Sequence, residues 1–64
     1  MAVKIVHGNG SSEVDGIRTV EEAVRAVDVN PETVIVEKDG ELVSLDEILK
    51  DGDKLELINV VSGG

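Results

Sequence analysis

Thr19-Val20-Glu21-Glu22-Ala23-Val24-Arg25-Ala26-Val27 opens on a capping pattern and continues as an apolar stripe. The Thr19 hydroxyl is placed to accept from the Glu22 amide, while the Glu22 carboxylate reaches back to the Thr19 amide. Glu21 and Glu22 also suit the positive end of a helix dipole. Val20, Ala23, Val24 and Val27 fall at i, i+3, i+4 and i+7, one face at helical spacing with Arg25 off it. Pro31 restricts Asn30 to extended angles, so the helix stops near Asp28.

On the N-terminal side, Ala2 to His7 is apolar and β-branched and reads as a strand, with Val3 and Ile5 on one face. Gly8-Asn9-Gly10-Ser11 is a turn cluster. Ser12 to Ile17 reads as a second, weaker strand with Val14 pointing inward. On the C-terminal side, Val34-Ile35-Val36 is a continuous apolar run, expected to be covered on both faces or central in a sheet. Asp39-Gly40 signals a two-residue hairpin into a short strand at Glu41-Leu42-Val43. Ser44-Leu45-Asp46-Glu47 repeats the capping pattern and predicts a single helical turn holding Leu45, Ile48 and Leu49. After the Asp51-Gly52-Asp53 turn, Lys54 to Val61 alternates at first and reads as the last long strand.

A hairpin, a helix, a second hairpin-like unit and a final strand predict an α+β fold. Its layout is a β-grasp: a mixed sheet of four to five strands, the first and last parallel at the centre, with one main helix on one face. The expected organisation is one domain over residues 1–61, then a flexible Ser62-Gly63-Gly64 tail with nothing to pack.

Composition narrows the chemistry. The chain has 64 residues, no Cys and a single His, so disulfides, thiolate metal sites and cysteine nucleophiles are absent. A His-based metal site or a Ser-His-Asp triad would have to be built around His7, the single histidine. His7 reads instead as a strand-end residue, Asp51 and Asp53 as turn formers, and neither a metal site nor enzymatic activity is expected. Fourteen acidic against six basic residues give a formal charge of −8, which disfavours nucleic acid and anionic membranes and favours a basic partner surface. With no apolar run of membrane-spanning length and no signal peptide in view, the expected compartment is the cytoplasm.

The chain resembles the ubiquitin-like sulfur carriers of the ThiS and MoaD type and the related archaeal small modifier proteins. The resemblance rests on the first strand with its turn, Thr19-Val20-Glu21-Glu22, Asn30-Pro31-Glu32-Thr33-Val34 and Asp39-Gly40-Glu41-Leu42-Val43. It continues through Asp51-Gly52-Asp53-Lys54-Leu55-Glu56 to Val60-Val61-Ser62-Gly63-Gly64. Thiazole-forming carriers often have a Pro-Arg-like pair where this chain has Ser44-Leu45, which leaves the molybdopterin-type carrier and the protein modifier as open readings.

The resemblance implies that a ThiF-, MoeB- or ubiquitin-activating-type enzyme adenylates Gly64, with Gly63 beside it. That enzyme uses the ATP; no cofactor is expected on the chain, whose Gly8-Asn9-Gly10-Ser11 lacks the phosphate-loop form. A sulfur donor then yields a thiocarboxylate, or a target lysine yields an isopeptide bond. Glycines without Cβ atoms suit a narrow channel. Extended, Asn59 to Gly64 spans about 20 Å at roughly 3.3 Å per residue. Ile58, Val60 and Leu42 are the expected docking patch for the partner. A third reading is an acidic protein-interaction domain without C-terminal chemistry.

Overall fold

The β-branched start of the chain forms β1 (Ala2–His7), antiparallel to β2 (Gly10–Asp15), in the computed structural model, which describes residues 2–8 and 10–60. His7 stands directly opposite Gly10, so the hairpin is tight and Gly8 takes a φ of +57°. That register starts β2 earlier than the Ser12 to Ile17 expectation. Gly16, at φ +74°, then ends the ladder. Ile17 is therefore not a strand residue, yet it turns into the core and is buried there.

The helix α1 (Val20–Ala26) forms where the stripe requires, with Val20, Ala23 and Val24 wholly buried and Val27 half-buried at its C-cap. The Thr19 hydroxyl accepts from the Glu22 amide at 3.3 Å. The reciprocal bond moves one residue outward: the Glu22 carboxylate accepts from the Arg18 amide at 2.8 Å rather than from Thr19. Thr19 is extended and bridges to Ile48, which brings the Arg18 amide toward the carboxylate. At the other end, the Asp28 and Val29 amides donate to the Arg25 and Val24 carbonyls. This is a Schellman closure with Asp28, at φ +63°, in the left-handed position glycine usually fills.

Asn30 caps a 3₁₀ turn at Pro31–Thr33 and accepts from the Glu32 amide at 2.9 Å. Next come β3 (Val34–Lys38) and β4 (Glu41–Val43), joined by Asp39 and Gly40 at φ +54° and +84°. Positive φ at both central residues is the turn that matches strand twist. The last strand, β5 (Lys54–Asn59), lies between β1, to which it is parallel, and β3, to which it is antiparallel. The five-stranded order is β2-β1-β5-β3-β4. Together with α1 on one face, this is the mixed β-grasp sheet that the sequence predicts.

One sheet face is closed by α1. Val3, Ile5, Val36, Leu55 and Leu57 form that face and pack with Val20, Ala23, Val24, Ile17 and Leu49 in one cluster. Val34-Ile35-Val36 is not covered on both faces: Val36 is 2% exposed, whereas Ile35 alternates to the open side at 39%. β3 is flanked by strands on both edges, but only one of its faces is covered.

Residues 44–50 do not form the expected helical turn. Their backbone crosses the start of α1 as a strap, and the Leu45 and Glu47 carbonyls accept from the Glu21 and Val20 amides at 2.9 and 3.1 Å. Helix-starting amides lack intrahelical partners, and the strap supplies them. Those carbonyls are thereby unavailable to a helix of their own. Leu49 is buried, Leu45 half-buried and Ile48 left 63% exposed. Lys38 fastens the strap from the sheet, with its ammonium 3.3 Å from Glu47 and 3.8 Å from Asp53.

Val24→Asp is expected to abolish the cooperative thermal transition, because an unpaired carboxylate in an apolar core costs several kcal/mol, comparable to the stability of a small domain. A parental melt for that variant would contradict the placement of α1. Asp28→Gly is expected to gain roughly 0.5 kcal/mol by removing a Cβ from a left-handed position, raising Tm by about 2–4 °C. A lowered Tm in a calorimetric scan would show that the Asp28 side chain supplies more than the strain it causes.

Candidate functional site: the open sheet face and the strand leading to Gly64

Gly63, Gly64 and the rest of the expected 62–64 tail lie outside the described residues. β5 is the middle strand of the sheet. Its pairing with β3 runs past Asn59, since the Val60 amide donates to the Thr33 carbonyl at 3.0 Å. Asn59 and Val60 thus belong to the sheet, and the reach of about 20 Å counted from Asn59 is too long. Counted from Val61, residues 61–64 span about 13 Å when extended.

The face opposite α1 is open. Ile58 (37% exposed), Val60 (49%) and Leu42 (66%) are accessible in the described chain. The register does not make them one contiguous group. Ile58 pairs across to Ile35, whereas Leu42, on the edge strand, pairs with Glu37. The open face thus includes Ile35, from the run expected to be covered on both faces or central in the sheet; β3 is an interior strand with one covered face. The register of β3 against β5 decides it: with Val36 inward opposite Leu57, Ile35 must point out.

The other candidates have structural roles. His7 ends β1 half-buried, with its Nε2 3.3 Å from the Ser12 hydroxyl. Asp51 accepts from the Ala2 amide and Asp53 from the Lys50 amide, each at 2.8 Å, so both carboxylates shape the turn that docks β5 beside β1. No group of three or more metal-ligating side chains occurs among the described residues. No helix among them is long and apolar enough to cross a membrane.

Sequence and structure comparisons agree on a family. The family model described as "ThiS family" matches residues 3–64, which takes in both the sheet and the final glycines. The chain belongs to the ThiS family. A relative described as sulfur carrier protein TtuB, from Thermus thermophilus, is 36% identical over 52 residues, covering 81% of this ThiS-family chain and 80% of that protein. The crystal structure of the thiamine biosynthesis protein ThiS from Geobacter metallireducens superposes with a TM-score of 0.63 at 32% identity, covering 95% of this chain and 99% of that one. A complex of subunits 1 and 2 of molybdopterin-converting factor from Helicobacter pylori includes a chain with a TM-score of 0.72 and full coverage of both. At 19% identity that likeness is one of fold.

For this ThiS-family chain, half-exposed Ile58 and buried Leu57 offer an internal contrast. Leu57→Ala is expected to cost about 2–5 kcal/mol, and Ile58→Ala less than about 1.5 kcal/mol, in denaturant unfolding. Equal losses would place Ile58 in the core and remove it from the open face.

Proposed function

We propose that this ubiquitin-like sulfur carrier works through the carboxylate of Gly64, activated by a separate ATP-dependent enzyme. The observation that carries the reading is the family match running from β1 through Gly64, on a fold whose central strand leads into that end. A carboxylate resists nucleophiles because of its charge and its poor leaving group. Attack of a Gly64 oxygen on the α-phosphorus of ATP releases pyrophosphate and gives an acyl-adenylate, whose leaving group is AMP. Sulfide attacking that carbonyl carbon expels AMP and leaves a thiocarboxylate. A lysine amine attacking the same carbon, with loss of a proton, would leave an isopeptide bond. The two fates share their first step, and the acceptor divides them.

The chain is the substrate of this chemistry and not its catalyst. Its partners are an adenylating enzyme of the ThiF, MoeB or ubiquitin-activating type, and a sulfur donor. The relative described as a sulfur carrier protein supports a partnership with sulfur-handling proteins. Ile58, Val60 and Leu42, now with Ile35, form the docking face for the enzyme, since a tail reaching about 13 Å keeps that face near the active site. The acidic surface draws the chain toward a basic partner.

Deleting Gly64 is expected to abolish ATP–pyrophosphate exchange with the adenylating enzyme while leaving the melting temperature unchanged. Undiminished exchange by the shortened chain would overturn the assignment. Raised salt is expected to slow association, because attraction between separated charges is screened beyond about 10 Å at 0.1 M.

A further inference from the structure

The open face carries a feature that apolar docking leaves unexplained. Register sets Glu37 of β3 directly opposite Glu56 of β5. Side chains so paired have Cβ atoms about 5 Å apart, and like charges there destabilise the sheet. Neither carboxylate enters an ion pair among the described residues. The row that holds them continues to Val6 beside Glu56 and to Leu42 beside Glu37. Ile35 and Ile58 form the next row toward the tail. Lys4 and Lys54 flank the opposite side, and Lys54 shares with the two glutamates a shallow cleft of about 200 Å³. Two opposed carboxylates are thus framed by apolar side chains on three sides.

We propose that the protein partner docking on this face inserts a cationic side chain between Glu37 and Glu56, with apolar residues packed around it. The inference rests on the adenylating-enzyme reading above and specifies the chemistry of the enzyme's contact surface. A guanidinium fits best: its planar fork donates to both carboxylates at once and lies flat against an apolar wall. Packing on Val6, Ile35, Leu42 and Ile58 excludes water, which strengthens the charged hydrogen bonds. A cation set between the two carboxylates is attracted to both, so the pair favours binding and rejects partners that lack the cation. The formal charge of −8 complements a basic surface at long range, whereas the pair acts at contact.

The test is the dependence of ATP–pyrophosphate exchange, by a purified ThiF- or MoeB-type enzyme, on the concentration of the full chain. Glu37→Gln/Glu56→Gln is expected to raise KM about tenfold or more, the loss of hydrogen bonds between charged groups, with kcat unchanged. Glu13→Gln, on the same face but opposite Lys4, is expected to keep the parental KM. Calorimetry should find the double variant melting no lower than the parent, since a repulsion has been removed. An unchanged KM for the folded double variant overturns the inference. An equal rise for Glu13→Gln also overturns it, because net charge would then be what is recognised. If a chain lacking Gly64 loses exchange while the double variant keeps its KM, the tail assignment stands and only the cationic contact fails. Exchange that survives loss of Gly64, or is absent for the parent, overturns the underlying reading and this inference with it.

Discussion

The parallel pairing of β1 with β5 is the constraint on which the structure depends. Ile5 stands opposite Leu55 and His7 opposite Leu57, with Ile5, Leu55 and Leu57 buried beneath α1. Parallel neighbours need a long crossover, and here nearly the whole chain serves as that crossover, which makes the fold a closure of its two ends. The turn at residues 51–53 secures the register: the Gly52 amide donates to the Ala2 carbonyl and the Lys4 amide to the Asp53 carbonyl. β5 thereby occupies the middle of the sheet, flanked by β1 and β3.

That arrangement divides the sheet into two functions. The helix side holds the core, built from Val, Leu, Ile and Ala without a single aromatic residue. The other side is free of packing duties and mixes exposed apolar residues with charge. The buried core lies on the helix side, so a contact on the open face would leave it undisturbed.

Much of this was legible in the residues because local signals agreed with the global layout. The Thr19-to-Val27 pattern specified both the start and the buried face of α1, and Asp39-Gly40 specified its hairpin. Legibility failed where tertiary hydrogen bonds outcompeted local preference. Ser44-Leu45-Asp46-Glu47 has a helix-opening pattern, yet its Leu45 and Glu47 carbonyls are bonded to the first amides of α1. Val34-Ile35-Val36 was legible in part: the run fits the interior strand that β3 is, but three consecutive β-branched residues hide the alternation that pairing with β5 imposes. The opposed Glu37 and Glu56 were invisible for a related reason: their juxtaposition is a property of register, not of either segment.

The central claim, that Gly64 is the atom-transferring end of a ThiS-family sulfur carrier, is tested most directly by intact mass spectrometry. The chain would be incubated with its adenylating enzyme, ATP and a sulfide source. Expected is the mass increase of one oxygen replaced by sulfur, located by fragmentation to the terminal glycine and lost on treatment with a thiol-alkylating reagent in favour of the alkylated product. An unchanged mass under conditions where pyrophosphate is released, or a sulfur gain located elsewhere in the chain, would contradict the account.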